Sequence, residues 1–526
     1  MWGRLFNLRP IVNRPLAGGV AVECAAGRGL PTRRRLNNLP HIMSKQLAWL
    51  LVLPATMSRP TNPTLVTLRH EFGPMFRLAV PVVFSELGWM TMAIVDTLMV
   101  GRLGAAAIGV VGLGGAIFYA VALFGLGILL GLDTLVAQAF GAGDIDRCHR
   151  ALRQGLYLAV LATPVIMAVC WLVPPFFPSW RINPAVATRV APFLRALSCG
   201  TLPLLAYAAF RRYLQATGHL RPVTFAMISA NLINVFGNWM LVYGHLGIRA
   251  LGPTGSGWST AISRTYLAVM LGFFVWYFDR EKGAGLFHQA PRFEWPLFKE
   301  LVKLGAPSAS QISLEVGAFS LAAVLAGRLT PAALAAHQIV LNCASFAYMV
   351  PLGVSSAAAV RVGHAVGRRE WGVARRAGWI AVGLAAAFMT CTAILFVTAP
   401  RWILGLFSPD PQTVAIGVAL LAVAAVFQVF DAAQAVITGA LRGLGNTRTP
   451  MLANLFGYWV FGLPAGYWLC FHRGWGLLGL WWGLSAGLIV IAVFLLLVWA
   501  RESCAVAANA GAPAAAAAHM INIQSP

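Results

Sequence analysis

Leu78-Ala-Val-Pro81 returns 226 residues later as Leu304-Gly-Ala-Pro307, and the motifs downstream of each copy come back in the same order. Gly101-Arg-Leu103 recurs as Gly327-Arg-Leu329, and Leu214-Gln-Ala-Thr-Gly218 is answered by Leu441-Arg-Gly-Leu-Gly445. Both copies are strongly apolar, so the repeating unit is read as membrane-embedded. A duplicated helical membrane domain sets a pathway between two lobes, which makes transport the first functional expectation.

Composition points the same way. Apolar residues make up 59% of the chain and charged residues 10%, against roughly 25% charged in an average soluble domain. The 53 glycines and 30 prolines suit close-packed membrane helices. The eight cysteines are scattered singly, with no CxxC and no Cys/His cluster at metal spacing. Neither disulfides, nor a structural metal, nor any cofactor beyond a coupling ion is expected.

Twelve windows are long and apolar enough to span a bilayer. They are 77–100, 108–132, 152–175, 189–210, 222–243 and 255–277, then 300–326, 334–358, 377–399, 412–439, 450–471 and 476–500. The fold class expected is therefore all-α and polytopic, with two six-helix lobes related by a pseudo-twofold axis along the membrane normal. Loop charge alternates with parity. Even-numbered loops and helix edges hold Arg147, Arg150, Arg153, Arg211, Arg212, Arg221, Arg280, Lys282, Arg292, Lys299, Arg361, Arg368, Arg369, Arg375, Arg376, Arg442 and Arg448. Odd-numbered loops hold only Arg102, Arg181, Arg189, Arg249, Arg328, Arg401 and Arg473. Both termini are thus expected in the cytoplasm, with the chain in the plasma (cell inner) membrane. Six spans per copy is an even number, so both copies insert with one orientation.

The chain is expected to divide into a basic, disordered extension (1–69), with a transit or signal peptide as the alternative reading of that segment, a first lobe (70–277), a cytoplasmic linker (278–299), a second lobe (300–500) and an Ala-rich tail (501–526). Residues 1–69 hold ten Arg/Lys and one acid, Glu23. The leader is Arg-rich, with Arg33-Arg34-Arg35 and an apolar run from Leu47 to Met57 too short to span. The net charge of +23 is accounted for by this segment and the cytoplasmic loops. Orientation and contact with anionic lipid explain it without nucleic acid.

Five carboxylates lie in or beside the apolar runs: Glu86, Asp96, Asp133, Glu315 and Asp431. A charged side chain at a helix centre costs about 2.5–3.5 kcal/mol on insertion scales, so such residues usually face a bundle interior or a wet cavity. Glu315 and Asp431 are the deepest, and neither has a basic residue three or four positions away in its own helix. A carboxyl without a partner in a low-dielectric site can exchange a proton near neutrality. The competing explanation is a neutral carboxyl kept for helix packing, or pairing with a base from elsewhere. Asp96 lies nearer a helix end, in Val95-Asp-Thr97. Asn234 and Asn238 share one face of the fifth span, and Ser259 and Thr260 enter the sixth. Carboxylate, amide and hydroxyl oxygens would suit Na⁺ or a hydrogen-bonded proton; ordinary interhelical hydrogen bonding explains the same residues at about 1 kcal/mol each. Glu86, ten residues before Asp96, is a candidate cleft carboxylate. Asp133 is expected to serve a helix end and His337 to be structural.

These motifs resemble the multidrug and toxic compound extrusion (MATE) family of antiporters. The likeness runs from about residue 70 to 500. It is carried by Pro81 with Asp96 and Gly101, Gln138-Ala-Phe-Gly-Ala-Gly143, Asn234-Val-Phe-Gly-Asn238, Gly305-Ala-Pro307 before Glu315, Ala335-Ala-His-Gln-Ile339, and Phe430-Asp431-Ala-Ala-Gln434 followed by Gly439-Ala-Leu-Arg-Gly443 and Thr449-Pro450. The resemblance implies a central cleft and export of amphipathic, often cationic compounds in exchange for H⁺ or Na⁺. It also implies a first-lobe cation group of Asp96, Asn234 and Thr260, and second-lobe carboxylates Glu315 and Asp431. Three positions depart from the pattern: Asn238 replaces an acid found in some members, Phe427 replaces a tyrosine, and Glu86 is an additional carboxylate. Together they tilt the expectation toward H⁺ coupling.

A flippase for a lipid-linked oligosaccharide is the alternative, but it would want a basic cavity for pyrophosphate. The intramembrane ionisable residues read as mostly acidic, with arginines in loops. An intramembrane enzyme would want HExxH or a DDxxD pair, and neither occurs. No channel filter or ring of like charges is present. The expected partners are the bilayer, small amphipathic substrates and the coupling ion, with no nucleic acid and the chain working as a monomer.

Overall fold

The computed structural model describes residues 65–177, 184–282 and 292–509. Most of the basic extension, residues 283–291 of the expected linker and the tail beyond 509 lie outside the described residues. The described chain is helical throughout. In the first lobe run α1 (Leu65–Gly101), α2 (Ala105–Ile128), α3 (Gly131–Gly141), α4 (Ile145–Leu172), α5 (Pro184–Cys199), α6 (Thr201–Ala216), α7 (Leu220–Tyr243) and α8 (Pro253–Lys282). The second lobe has α9 (Trp295–Ala326), α10 (Pro331–Gly367), α11 (Trp371–Thr398), α12 (Pro400–Gly405), α13 (Pro411–Leu444), α14 (Arg448–Asn454), α15 (Leu463–Tyr467) and α16 (Gly476–Asn509).

Among the described residues ten helices are long and apolar enough to cross a membrane, α2 and α3 counting as one; α5 and α6, bent by 40°, make an eleventh. The remaining expected span, 450–471, is occupied by α14 and α15 with π-helical turns at Leu455–Gly462 and Trp468–His472. A π-turn accommodates an extra residue in a helix, and the repeat offset grows along this segment. Asn231 of α7 donates its side-chain N–H to the Gly88 carbonyl at 3.0 Å. Trp459, 228 residues on, donates to the Leu314 carbonyl at 3.0 Å, although Gly88 and Leu314 are 226 apart.

The two-fold relation is legible contact by contact. A methyl group on Gly127 would run into Ala309 of α9, and one on Gly353 into Val83 of α1; both members of the second contact sit 226 positions from those of the first. Gly141 abuts the His364 backbone and Gly367 abuts that of Gln138, again a symmetric pair. Met75 and Ala79 of α1 are buried in the second lobe's core, while Leu297 and Leu301 of α9 are buried in the first lobe's. The repeated glycine motif is a helix stop. Gly218 and Gly445 take left-handed φ of 82° and 92°, letting the next amide close back on Leu214 (2.8 Å) and Leu441 (2.9 Å).

The hydrogen bonds and ion pairs that join the first lobe to the linker and second lobe gather at one end among the described residues. They involve residues 133–154 and 212–216 of the first lobe, 292–300 at the end of the linker and start of α9, and 356–364 and 442–443 of the second lobe. The lobes are therefore fastened on the side carrying the even-numbered loops.

Candidate functional site

Each lobe holds its own carboxylate cluster inside the helical bundle, with Asp96 and Asp431 buried and Glu315 half-buried. In the first, α1 presents Asp96 to α7 and α8. One carboxylate oxygen accepts from Asn238 (2.7 Å) and Asn234 (3.1 Å), and the other accepts from the Thr260 hydroxyl (2.7 Å). Asn238 also donates to the Asn234 backbone and side-chain oxygens, and Ser259 donates to the Asn234 carbonyl at 2.9 Å. Asn234 and Asn238 are fully buried. The i, i+4 spacing of the asparagines thus aims both amides at one oxygen. The structure brings Asp96, Asn234, Asn238 and Thr260 together, with donors rather than acceptors turned toward the carboxylate.

The second cluster is differently built. Glu315 of α9 accepts long bonds from Gln311 one turn earlier and from Gln434 of α13, each 3.4 Å, and a further bond from the Tyr348 hydroxyl of α10. Gln434 also donates to the Asn454 oxygen at 3.2 Å. Asp431 lies near enough for Glu315 to act on it electrostatically, and Tyr348 and Tyr458 border both carboxyls. The Tyr458 hydroxyl is buried without a hydrogen-bond partner. Among the described residues no lysine, arginine or histidine forms an ion pair with Glu315 or Asp431. Phe427, one turn before Asp431, packs on Trp481 with ring centroids 6.0 Å apart. His337 accepts from the same Trp481 at 3.0 Å and contributes to neither carboxylate.

Two further acids have partners from distant sequence. Glu86 is ion-paired with Arg211 of α6. Asp133, 1% exposed, sits between Arg212 of α6 and Arg442 of α13, 3.2 Å from each. Arg212 also donates to Ser356 of α10, Thr134 donates to the Arg442 carbonyl at 2.6 Å, and Gln138 to the Gly443 carbonyl at 2.9 Å. Asp133 opens α3, as expected of a helix-end residue, but it also ties the lobes together. Arg211 and Arg442, counted as loop charges from sequence, are instead buried, and Arg212 is largely covered. The cause is simple: the helices run past the apolar windows, so the window edges are helix rather than loop.

The MatE family model matches residues 81–240 and again 307–468, one copy per lobe. The chain belongs to the MATE family. A multidrug resistance protein NorM of Burkholderia vietnamiensis is 38% identical over 430 residues, 80% of this chain and 92% of that one. A probable multidrug resistance protein NorM of Mesorhizobium japonicum is 36% identical over 443 residues, 82% of this chain and 94% of that one. Among solved structures, the eukaryotic MATE transporter AtDTX14 superposes with a TM-score of 0.74 at 22% identity, covering 84% of this chain and 99% of its own. An outward-facing multidrug resistance MATE transporter superposes at 0.73 and 18% identity, covering 83% and 96%. At these identities the two structures speak for the fold, which is the two-lobe, twelve-span architecture expected.

In this MATE chain the deepest of the buried charges that escaped sequence reasoning is an arginine. Arg264 of α8 is 1% exposed, yet it lies well inside an apolar window. Its spacing four residues after Thr260 was the available signal. Its guanidinium stacks 4.7 Å from the Phe118 centroid and donates to the Tyr119 hydroxyl at 3.0 Å.

Proposed function

We propose that this MATE chain is a proton-coupled exporter of amphipathic, cationic compounds. Export of drugs is supported by the names of its NorM relatives. Proton coupling is supported by one observation above the rest: Asp431 is buried with the half-buried Glu315 close by, and among the described residues neither has a basic partner. Two neighbouring carboxyls in a low-dielectric site resist double ionisation, so the pair holds a proton in one state and an organic cation's charge in the other. Coupling arises because proton and substrate compete for the same charge. The membrane is the cell inner membrane, with both termini cytoplasmic, on the strength of the loop arginines.

In that orientation the Asp133–Arg212–Arg442 seam closes the cytoplasmic side. Loading from the cytoplasm requires these buried pairs to separate and rehydrate. Proton entry from outside neutralises the Glu315/Asp431 pair and releases the cation outward; proton loss inward restores it. The flippase alternative is disfavoured because Arg211, Arg212 and Arg442 are engaged by Glu86 and Asp133 and offer no free basic cavity.

The test is uptake of a fluorescent lipophilic cation into inside-out proteoliposomes. A pH gradient, acid inside, is expected to drive accumulation without Na⁺. Accumulation under an outwardly directed Na⁺ gradient alone would overturn the coupling assignment.

A further inference from the structure

The first-lobe cluster contains a positive charge with no acid of its own. Arg264 is almost fully enclosed, and one of its terminal nitrogens is taken by the Tyr119 hydroxyl. Its Nε and its other terminal nitrogen have no hydrogen-bond partner, and its face lies on the rings of Phe118 and Tyr119. It forms no ion pair with a carboxylate among the described residues. One turn earlier on the same face of α8, Thr260 donates to Asp96, and the Arg264 charge acts on Asp96 electrostatically. The other groups facing Asp96 are the neutral amides of Asn234 and Asn238. Gly200, at the bend between α5 and α6, leaves room for the Arg264 side chain, since a methyl group there would come within 3.3 Å of the arginine Cδ.

We propose that Arg264 is the resident cation of the first-lobe cluster: its fixed charge, one turn from Thr260, stands beside Asp96 and thereby excludes Na⁺ from a constellation otherwise supplied with sodium ligands. Asp96, the two asparagine side-chain oxygens and the Thr260 hydroxyl are a hard-oxygen set that a small cation would suit. Their present orientation is that of a site already compensated. All three neighbours donate to Asp96, and the Asn238 oxygen is left without a partner. A second cation entering beside a fixed guanidinium meets like-charge repulsion in a medium of low dielectric. A guanidinium never gives up its charge at physiological pH, so the exclusion is permanent rather than titrated. This inference rests on the proton-coupled reading of the transporter and assigns the selectivity of that reading to one residue.

The experiment measures binding of radioactive Na⁺ to purified full-length protein, alongside pH-gradient-driven uptake of the fluorescent cation in proteoliposomes. Wild type is expected to bind no Na⁺ saturably. Arg264→Met, which keeps length and removes charge, is expected to gain saturable Na⁺ binding, at least about tenfold above wild type. Arg264→Lys restores the charge and is expected to exclude Na⁺ again. Tyr119→Phe provides a milder variant that releases the guanidinium without deleting it, with a smaller gain in Na⁺ binding. A monodisperse, folded Arg264→Met that remains blind to Na⁺ while wild type is proton-driven would overturn the role of Arg264 alone. If Arg264→Met does not fold, unchanged Na⁺ exclusion in Tyr119→Phe and Arg264→Lys that binds Na⁺ would each overturn it. Saturable Na⁺ binding and Na⁺-driven uptake by wild type would instead overturn the proton-coupled reading on which it rests.

Discussion

The two lobes share a backbone plan but not a chemistry. Asp96 is held by three strong hydrogen bonds, of 2.7 to 3.1 Å, and acted on by a buried arginine. Glu315 accepts two amide bonds of 3.4 Å and one from the Tyr348 hydroxyl, and has another carboxyl for a neighbour. Applying the repeat offset, Ala322 stands where Asp96 would be, Gly462 and Gly466 stand for the two asparagines, and Ala492 for Arg264. Conversely, Trp89 occupies the place of Glu315 and Leu204 that of Asp431. Packing contacts such as Gly127–Ala309 and Gly353–Val83 were kept in both copies because the seam needs them twice. The charges were not, because each site does a different task. One carboxylate is held by short bonds beside a fixed charge; the other pair has long amide bonds and a second carboxyl as neighbour.

That difference can be broken by substitution. The largest effect is expected from Asp431→Asn or Glu315→Gln, which remove the shared charge. Coupled efflux should fall at least about tenfold in a proteoliposome assay while size-exclusion profiles stay monodisperse, since an under-bonded carboxyl carries little of the fold. Unchanged efflux would remove the residue from the coupling site.

Glu86→Gln probes the opposite case, an acid whose partner is buried. Leaving Arg211 uncompensated is expected to destabilise the protein by about 3 kcal/mol, seen as a lowered thermal midpoint in detergent, and to affect transport only through the amount of folded protein. Full stability with lost coupling would instead place Glu86 in the transport path. Asp133→Asn weakens the interlobe seam. It should raise the reactivity of a cysteine introduced at Ser356 toward a membrane-impermeant reagent applied from the cytoplasmic side, severalfold over the otherwise identical protein; equal labelling would show that the seam does not hold that side closed. Phe427→Tyr is the smallest change. It offers a hydroxyl one turn from Asp431, and a shift of no more than about threefold in apparent drug affinity is expected, whereas loss of transport would show that this packing against Trp481 matters more than polarity.

The sequence exposed some of these features and concealed others for physical reasons. Membrane helices advertise themselves by length and apolarity, so every expected span has a counterpart, and the repeat was plain because glycine stops such as Gly218 and Gly445 tolerate few alternatives. The shared face of Asn234 and Asn238 was legible from their i, i+4 spacing, while their grouping with Asp96 and Thr260 came from the family resemblance. The partners of Glu86 and Asp133 were not: Arg211, Arg212 and Arg442 are separated from them by as many as 309 residues, and helix ends beyond an apolar window look like loops. Arg264 was missed because a single arginine barely lowers the apolarity of a long window. The tendency of arginine to lie on aromatic rings, here Phe118 and Tyr119, shows only once the helices are packed.

The most direct measurement is proton release on drug binding. Purified protein in weakly buffered detergent solution, with a pH indicator dye, is titrated with a lipophilic cation near neutral pH. The competition of substrate and proton for one buried charge predicts release of protons on binding, abolished in Glu315→Gln or Asp431→Asn and retained in Asp96→Asn. Release that survives both second-lobe substitutions and disappears in Asp96→Asn would contradict it, and would move the exchangeable proton to the first lobe.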